Sequence, residues 1–552
     1  MIKSRTLITL AKFQQRQSRQ LLLLFVALQL LIWRNTLVVA VNVERINPYE
    51  KISEIQLNGR WWMGGGGPNN RSHYATDAVQ EMWLTQKLDH FFEETGETTN
   101  QSGIEEQWMM RYLVNREFYE PGGPMFIVVG GEWEIHPNLL SEGHFYDMAR
   151  QHNAIMFYTE HRFYGKSWPK DSAAVEALEY LSVRQSLEDL RYFIKYQKSS
   201  LRDLASSKVV LLGASYSGSM AAWFMKLYPN EANVAWASSA PLLAKMDFHE
   251  FMTLTMDVIE HKGGTECSEK LEKGFQDLHR ILLSSSASKE LLYNLQMCSN
   301  FDTNNELDIS AFFNGLGNYF AAMAQLSSKF VTQFCQQFTE KDTTPTDALV
   351  QHIRDVFLPH SQDETKSHGH SQIWCLDLSY EGMKSLFSSE DDDIFNGNRC
   401  WFYQTCNEFG WFATTTSNDV AAHNVFGGQV ALKFFRNLCQ DVFQRSRITT
   451  ATLLSPNMPS AGGLTLQELY SREWRTNHIF GGLTNISQNV IFTHGRLDPW
   501  RAVGMQHGRN VLLLEGYGHV EDLGSINLED SVALNVAKLK VSAFINKALR
   551  ES

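Results

Sequence analysis

Short apolar segments that alternate with helix-like segments constrain the fold of this chain more than any other feature of its sequence. The run KVVLL at 208–212 leads, after a few small residues, into a helix-like stretch at 217–227. Other apolar runs are PMFIVVGGE at 124–132, AIMFYTEHR at 154–162, NVAWASSAP at 233–241, NVIFTHGRLDPW at 489–500 and RNVLLLEGYGH at 509–519. Strands that are apolar on both faces are typical of a parallel sheet covered by helices on each side. The sequence therefore predicts an α/β protein.

One of these junctions places a serine at the tip of a tight strand-to-helix turn. Residues 211–224 read LLGASYSGSMAAWF, with Ser215 at the turn. A nucleophile elbow of this kind presents a hydroxyl at the top of the sheet, above the N-terminus of a helix. It requires small residues two positions before and after the serine, here Gly213 and Ser217. The strict pattern has glycine at the second of these, so an ordinary Gly/Ser-rich turn is the alternative interpretation.

Two late strands supply an acid and a base in the order that such a fold requires. Asp498 follows VIFTH and His519 follows VLLLEG. The chain order serine, acid, histidine is that of the catalytic triad in the α/β-hydrolase fold. We therefore predict that Ser215 attacks a carbonyl carbon, that His519 takes and returns the proton, and that Asp498 orients the imidazole.

The same reasoning predicts an oxyanion hole. One donor should be the backbone N–H of Tyr216, the residue that follows the nucleophile. The second should come from the loop after the strand PMFIVV, around Gly131 and Glu132.

The strand pattern stops near residue 247 and resumes at 489, and all seven cysteines lie in the helix-rich stretch between these points. We interpret this stretch as an inserted cap, braced by disulfides, over the carboxyl edge of the sheet. The predicted division is a signal peptide at 1–40, a linker or pro-segment at 41–76, the first part of an α/β-hydrolase core at 77–247, a mostly helical cap domain at 248–440 and the second part of the core at 441–552.

The N-terminus predicts entry into the secretory pathway. Basic residues precede the apolar run LLLLFVALQLLIW at 21–33, which is shorter than the roughly 20 residues of a membrane span. A retained signal anchor is the alternative to cleavage. Three glycosylation sequons begin at Asn70, Asn100 and Asn485. In an oxidising compartment most of the seven cysteines should pair, and the odd count leaves one that is free or links two chains.

Composition excludes other classes of function. The net charge of −12 makes nucleic acid an unsuitable partner. No CxxC pair occurs, so the sequence predicts no zinc site and no cofactor.

Eight pieces of sequence, in one order, resemble a known enzyme family. They are QKLDHF at 86–91, GGE at 130–132, EHRFYGKS at 160–167, LSVRQSLEDL at 181–190, GASYSGSMAAW at 213–223, SSAPLLAKMDF at 238–248, WFYQTCNEFGWF at 401–412 and LDPW at 497–500. The chain resembles the lysosomal or secreted Pro-Xaa serine peptidases, the family of prolylcarboxypeptidase, dipeptidyl peptidase II and thymus-specific serine protease. The serine at position 217 and the GGE motif are most similar to the thymus-specific branch.

The resemblance implies an α/β-hydrolase core with a helical cap, lysosomal or extracellular residence, and cleavage after proline. The family triad falls on the same serine, aspartate and histidine. Trp401, Tyr403 and Gln404 of WFYQTC are expected to line the substrate pocket, since aromatic walls suit a proline ring. The chain departs from the family at His494, where asparagine is usual, and at Gly518 before the histidine.

The expected partners are therefore peptides with proline near one terminus, and a homodimer is left open. An exopeptidase must hold a charged terminus. Glu132 and Glu408 are candidate anchors for an amine, as in a dipeptidyl aminopeptidase, and Arg162 and Arg399 for a carboxylate, as in a carboxypeptidase. An esterase and a non-catalytic binding protein are the remaining alternatives.

Overall fold

The computed structural model describes residues 44–46, 78–91, 106–326, 328–340, 342–358, 374–390, 397–417, 425–443 and 464–551. The predicted signal peptide, nearly all of the predicted linker, Asn70 and Asn100 lie outside these residues. Within them, no helix is both long and apolar enough to cross a membrane.

Twelve strands occur in the described part of the chain. They are β1 (Glu44–Ile46), β2 (Val79–Lys87), β3 (Gln107–Asn115), β4 (Met125–Val129), β5 (Ile155–Thr159), β6 (Val209–Ala214), β7 (Val234–Ser238), β8 (Lys245–Asp247), β9 (Trp374–Leu376), β10 (Gly410–Phe412), β11 (Val490–Gly495) and β12 (Val511–Leu514). Eight of them form one sheet in the order β12-β11-β7-β6-β4-β5-β3-β2. In that sheet β3 runs antiparallel to both β2 and β5, and every other neighbouring pair is parallel.

This topology confirms the predicted fold class. Counted along the chain, the eight strands lie in the order 1-2-4-3-5-6-7-8 with only the second reversed, which is the arrangement of the α/β-hydrolase fold. The central strands are buried throughout, as their apolar sequences require. The edge strand β2, in contrast, alternates between exposed and buried positions near its end.

Fifteen α-helices are described: α1 (His144–Gln151), α2 (Val175–Leu178), α3 (Val183–Ser200), α4 (Tyr216–Leu227), α5 (His249–Gly263), α6 (Thr265–Leu282), α7 (Ala287–Asn294), α8 (Glu306–Leu326), α9 (Ser328–Thr339), α10 (Pro345–Phe357), α11 (Tyr380–Ser388), α12 (Asn398–Gln404), α13 (Leu432–Phe443), α14 (Leu466–Phe480) and α15 (Val532–Glu551). A π-helical turn, Thr405–Phe409, continues α12. Short 3₁₀ turns span Pro137–Leu140, Arg202–Leu204 and Pro499–Val503.

The sheet is covered on both faces. On β6, Leu211 packs into the cluster that contains α3 and α4, whereas Leu212 packs into the cluster that contains α1 and α15. Side chains of a strand alternate between the two faces, so both faces of β6 are core.

The described residues between β8 and β11 are mostly helical, from α5 to α14. The structure confirms that disulfides brace this stretch: Cys267 pairs with Cys335, and Cys406 with Cys439. Cys298 and Cys375 are also disulfide-bonded. The seventh cysteine, Cys400, is a buried thiol, so it is not available to link two chains. Where a cap domain begins and ends stays a prediction.

Candidate active site

Ser215 lies at a strained turn between β6 and α4. It is the N-cap of α4, with φ 56° and ψ −130°. A positive φ is costly for a residue with a side chain and is often stored at functional sites. The carbonyl oxygen of Ser215 accepts from the N–H of Gly218 at 2.9 Å, which begins the helix directly after the turn.

Close packing explains why the neighbours of this serine are small. A Cβ on Gly213 would lie 2.0 Å from the carbonyl oxygen of Ser217, and one on Gly218 would lie 2.9 Å from the carbonyl oxygen of Ser238. Ser217 fits because its hydroxyl turns back onto the end of β6. Its Oγ donates to the carbonyl oxygen of Ala214 and accepts from the Ala214 N–H, each at 2.9 Å.

Asp498 and His519 form a buried pair at the same edge of the sheet. Asp498 is the N-cap of the 3₁₀ turn after β11, and its Oδ1 accepts from the N–H of Trp500 at 2.9 Å. Its Oδ2 lies 2.8 Å from Nδ1 of His519, which follows β12. Burial alone would raise the pKa of Asp498, but the adjacent imidazole and the Trp500 N–H hold it below its ordinary value. This arrangement favours an ionised aspartate that fixes the histidine tautomer.

Two serines at the end of β7 tie the turn to the loop that carries the histidine. The N–H of Ser215 donates to the carbonyl oxygen of Ser238 at 2.9 Å. The next residue, Ser239, accepts from the N–H of Val520 through its hydroxyl at 3.0 Å. The turn that carries the candidate nucleophile and the loop that carries the candidate base are therefore both hydrogen-bonded to the end of β7.

The side chains of the two are not hydrogen-bonded. Nε2 of His519 is buried and has no hydrogen-bond partner among the described residues. Hydrogen bonds between nucleophile and base are often long before substrate binds and shorten in the complex. The imidazole thus has one nitrogen committed to Asp498 and the other available to a reacting group.

The predicted oxyanion donors lie at the same edge. Tyr216 is the first residue of α4, and the first N–H groups of a helix have no acceptor within it. Gly131 and Glu132 follow β4, the parallel neighbour of β6. A Cβ on Gly131 would meet the Trp133 ring at 2.4 Å, so a larger residue there would require that ring to move.

The three predicted pocket residues have different surroundings. The Trp401 ring lies 5.5 Å from the Tyr216 ring. Tyr403 lines a cavity of about 510 Å³ together with Glu408. Gln404 is fully buried, and both ends of its amide are bonded to tyrosine hydroxyls. Gln404 can therefore act on a substrate only through its neighbours.

Sequence reasoning did not single out an aromatic arc, which consists of Trp500, Trp411, Trp401 and Tyr216. The Trp500 ring lies 6.5 Å from the His519 ring, and successive ring centroids along the arc are separated by 5.5, 5.9 and 5.5 Å. The arc runs from the candidate base to the residue after the candidate nucleophile. The sequence segments LDPW and WFYQTCNEFGWF are rich in tryptophan, which indicates an aromatic site. The sequence alone does not show that these two distant segments contact each other.

The two arginines proposed as carboxylate anchors serve the fold instead. All five N–H groups of Arg162 are occupied: they bond the two carboxylate oxygens of Asp189 and the carbonyl oxygens of Lys87, Leu88 and Tyr180. Arg399 is also buried and donates to the carbonyl oxygens at 173 and 387. The sequence could not reveal these partners because they come from remote segments.

The two glutamates differ in access. Glu132 is buried, with 4% of its surface exposed. Glu408 is partly exposed in the 510 Å³ cavity, where its carboxylate accepts from the Val183 N–H at 3.1 and 3.2 Å. Burial raises the pKa of Glu408 to about 7, although that N–H and Arg475 oppose the rise.

His494 lies beside the candidate acid. It is 1% exposed, and neither ring nitrogen has a hydrogen-bond partner among the described residues. A Cβ on Gly504 would come within 2.4 Å of its ring, so the ring packs under the turn that follows Asp498. Burial lowers the pKa of His494 to about 4, despite the nearby aspartate.

The sheet order and the serine at its elbow define an α/β-hydrolase. Comparison with protein families then gives the particular group: the family described as serine carboxypeptidase S28 matches residues 86–541. The chain belongs to this family and is a serine peptidase, which confirms the resemblance seen in the sequence.

Similar proteins span most of the chain. It is 27% identical over 494 residues to the thymus-specific serine protease of Mus musculus, covering 86% of this chain and 88% of that protein. It is 27% identical over 477 residues to the lysosomal Pro-X carboxypeptidase of Homo sapiens, covering 83% and 86%.

Proposed function

We propose that this peptidase is an exopeptidase that cleaves after proline through Ser215, Asp498 and His519. Ser215 attacks the carbonyl carbon while Nε2 of His519 takes its proton. The tetrahedral oxyanion accepts hydrogen bonds from the N–H of Tyr216 and from the loop at Gly131. His519 then returns the proton to the leaving amine, and water hydrolyses the acyl-enzyme by the same route.

The aromatic arc is the observation that carries the preference for proline. A proline ring within a peptide is compact, apolar and lacks an N–H, so an aromatic wall binds it without leaving a polar group unpaired. The arc provides such a wall between His519 and Tyr216. The human relative named lysosomal Pro-X carboxypeptidase supports the same preference.

A specific observation favours release from the amino terminus as a second candidate. The donors of Arg162 are fully used, whereas Glu408 borders an open cavity. When it is ionised, which a pKa of about 7 allows only toward neutral pH, the Glu408 carboxylate would attract the free amine of a peptide, as a dipeptidyl aminopeptidase requires. Carboxypeptidase action would need a cation other than Arg162 to hold the substrate carboxylate, and Arg472 and Arg475 line the same cavity as Glu408.

Active-site labelling and a substrate panel test these assignments. Purified protein is treated with an organophosphonate, and the adduct is mapped by mass spectrometry. Turnover is then compared for Xaa-Pro-dye, the same dye substrate with a blocked amine, a blocked Pro-Phe dipeptide and a p-nitrophenyl ester at pH 5 and 7. Labelling at Ser215 with cleavage after proline supports the proposal, and the blocked substrates decide the terminus. Ester turnover alone, or labelling elsewhere, would refute it.

We also propose that the enzyme works in the lysosome or outside the cell. The N-terminal apolar run, the sequons and the lysosomal name of the human relative support this. Asn485 is exposed between α14 and β11, as an acceptor for a glycan must be. A loss of mass on treatment with an endoglycosidase that is smaller in Asn485→Gln than in the wild type would support that site, and an equal loss would contradict it.

A further inference from the structure

A chain of buried hydrogen bonds passes through the hydroxyl of Tyr216, the residue that follows the candidate nucleophile. The Tyr164 hydroxyl lies 2.6 Å from Oε1 of Gln404, and Nε2 of Gln404 lies 3.0 Å from the Tyr216 hydroxyl. That hydroxyl is 3.1 Å from Nε2 of His161, whose Nδ1 is 2.7 Å from the carbonyl oxygen of Arg162. The Tyr164, Gln404, Tyr216 and His161 side chains are all at least 95% buried.

Only one direction of donation satisfies this chain when the imidazole is neutral. The carbonyl oxygen of Arg162 can only accept, so Nδ1 of His161 carries the hydrogen and Nε2 is an acceptor. The Tyr216 hydroxyl must then donate to His161 and accept from Gln404. Oε1 of Gln404 is left to accept from Tyr164. Burial lowers the pKa of His161 to about 4, which keeps the imidazole in the neutral form that this pattern needs.

The chain joins three separate parts of the sequence. His161 and Tyr164 follow β5, Tyr216 begins α4, and Gln404 ends α12 within the helical stretch between β8 and β11. The Tyr216 ring is also held by Trp401 and Phe409, at centroid distances of 5.5 and 5.3 Å. The N–H of Tyr216, at the first position of α4, has no acceptor within the helix.

We propose that Gln404 and His161 are positioning residues that hold the Tyr216 hydroxyl and so aim the Tyr216 N–H at the oxyanion. This inference rests on the proposed function, in which that N–H stabilises the tetrahedral intermediate. The peptide plane between Ser215 and Tyr216 is set by the strained turn on one side and by the anchored tyrosine on the other. A donor fixed before the reaction needs no reorganisation when charge develops.

Tyr216→Phe provides the sharpest test, because it deletes the hydroxyl and keeps the ring contacts. The matched control is Tyr319→Phe, which breaks a similar hydrogen bond of 3.0 Å, between a tyrosine hydroxyl and His352. The Tyr319 ring packs against Phe357 and not against the elbow. Each variant and the wild type are measured for kcat and KM on a proline substrate, for affinity toward a peptide boronic acid that mimics the tetrahedral state, and for thermal midpoint.

Misplacing an oxyanion donor should lower kcat of Tyr216→Phe by about tenfold to a hundredfold with KM within about twofold, and should weaken boronate binding by the same factor. Gln404→Leu should behave alike, and Tyr319→Phe should keep wild-type kcat. If Tyr216→Phe retains kcat, or loses it with boronate affinity unchanged, the positioning role is overturned. A wild-type enzyme that is not labelled at Ser215 would instead overturn the proposed function.

Discussion

The buried imidazole of His494 should make the protein less stable in acid. Burial lowers its pKa to about 4 in the folded state, whereas an unfolded chain restores a value near 6.5. Between these two values the unfolded state binds the extra proton. The contribution of His494 to stability is therefore complete above about pH 6.5 and is lost progressively as the pH falls toward 4.

The size of this effect follows from the two pKa values. One pKa unit corresponds to about 1.4 kcal/mol. Lowering the pH from 7 to 4.5 covers about two of the units between the unfolded and folded pKa values, so it should reduce the free energy of unfolding by about 3 kcal/mol. The nearly complete burial of the ring leaves little solvent screening to reduce it. Replacing His494 by asparagine removes the titrating group and should remove this part of the pH dependence.

Denaturant unfolding at pH 7 and pH 4.5, with disulfides intact, measures the effect. His494→Asn should lose less stability between the two pH values than the wild type does, by about 3 kcal/mol. His507→Asn is the control, because solvent reaches that exposed side chain in both states. An equal loss of stability in His494→Asn and in the wild type would show that His494 does not cause this pH dependence, whatever the stability of the variant at pH 7.

Substitutions at the elbow and in the cavity should change activity and stability in three further ways. Ser215→Ala should lower kcat by about 10⁶-fold and abolish organophosphonate labelling with an unchanged thermal midpoint; undiminished turnover would contradict the assignment. Gly213→Ala places a Cβ 2.0 Å from a carbonyl oxygen, so it should lower the free energy of unfolding by about 1–3 kcal/mol and abolish activity. The control is Gly524→Ala, whose Cβ would have no heavy atom within 4 Å and which should leave unfolding and activity unchanged. Burial raises the pKa of Glu408 to about 7, so the stability of the protein should fall as the pH rises from about 4.5 through 7. Unfolding midpoints measured at pH 5 and pH 8 should differ less in Glu408→Gln than in the wild type.

Much of the fold was accessible from the sequence because its strongest signals are local. The apolar run through β6 and the small residues around Ser215 predict a buried strand and a tight turn without knowledge of any partner. The order of Asp498 and His519 along the chain was likewise enough to expect them at one edge of the sheet. The structure brings these two together at 2.8 Å.

The roles of individual polar side chains were harder to predict because their partners are distant in sequence. Arg162 was a candidate anchor until the structure gave it Asp189 and three backbone carbonyls. Gln404 was expected to face the substrate, but it bonds Tyr164, which lies 240 positions earlier in the chain. Neither pairing leaves a periodic or compositional trace.

The hydroxyl of Ser217 has a practical consequence for recognising such enzymes. The serine side chain is larger than the hydrogen atom of a glycine, and its hydrogen bonds to the N–H and the carbonyl oxygen of Ala214 compensate for the additional volume. A genome search that demands G-x-S-x-G would pass over this chain and others built like it. A pattern that also allows serine at that position would find them. Threonine has an additional methyl group, and we expect it to be too large for this turn.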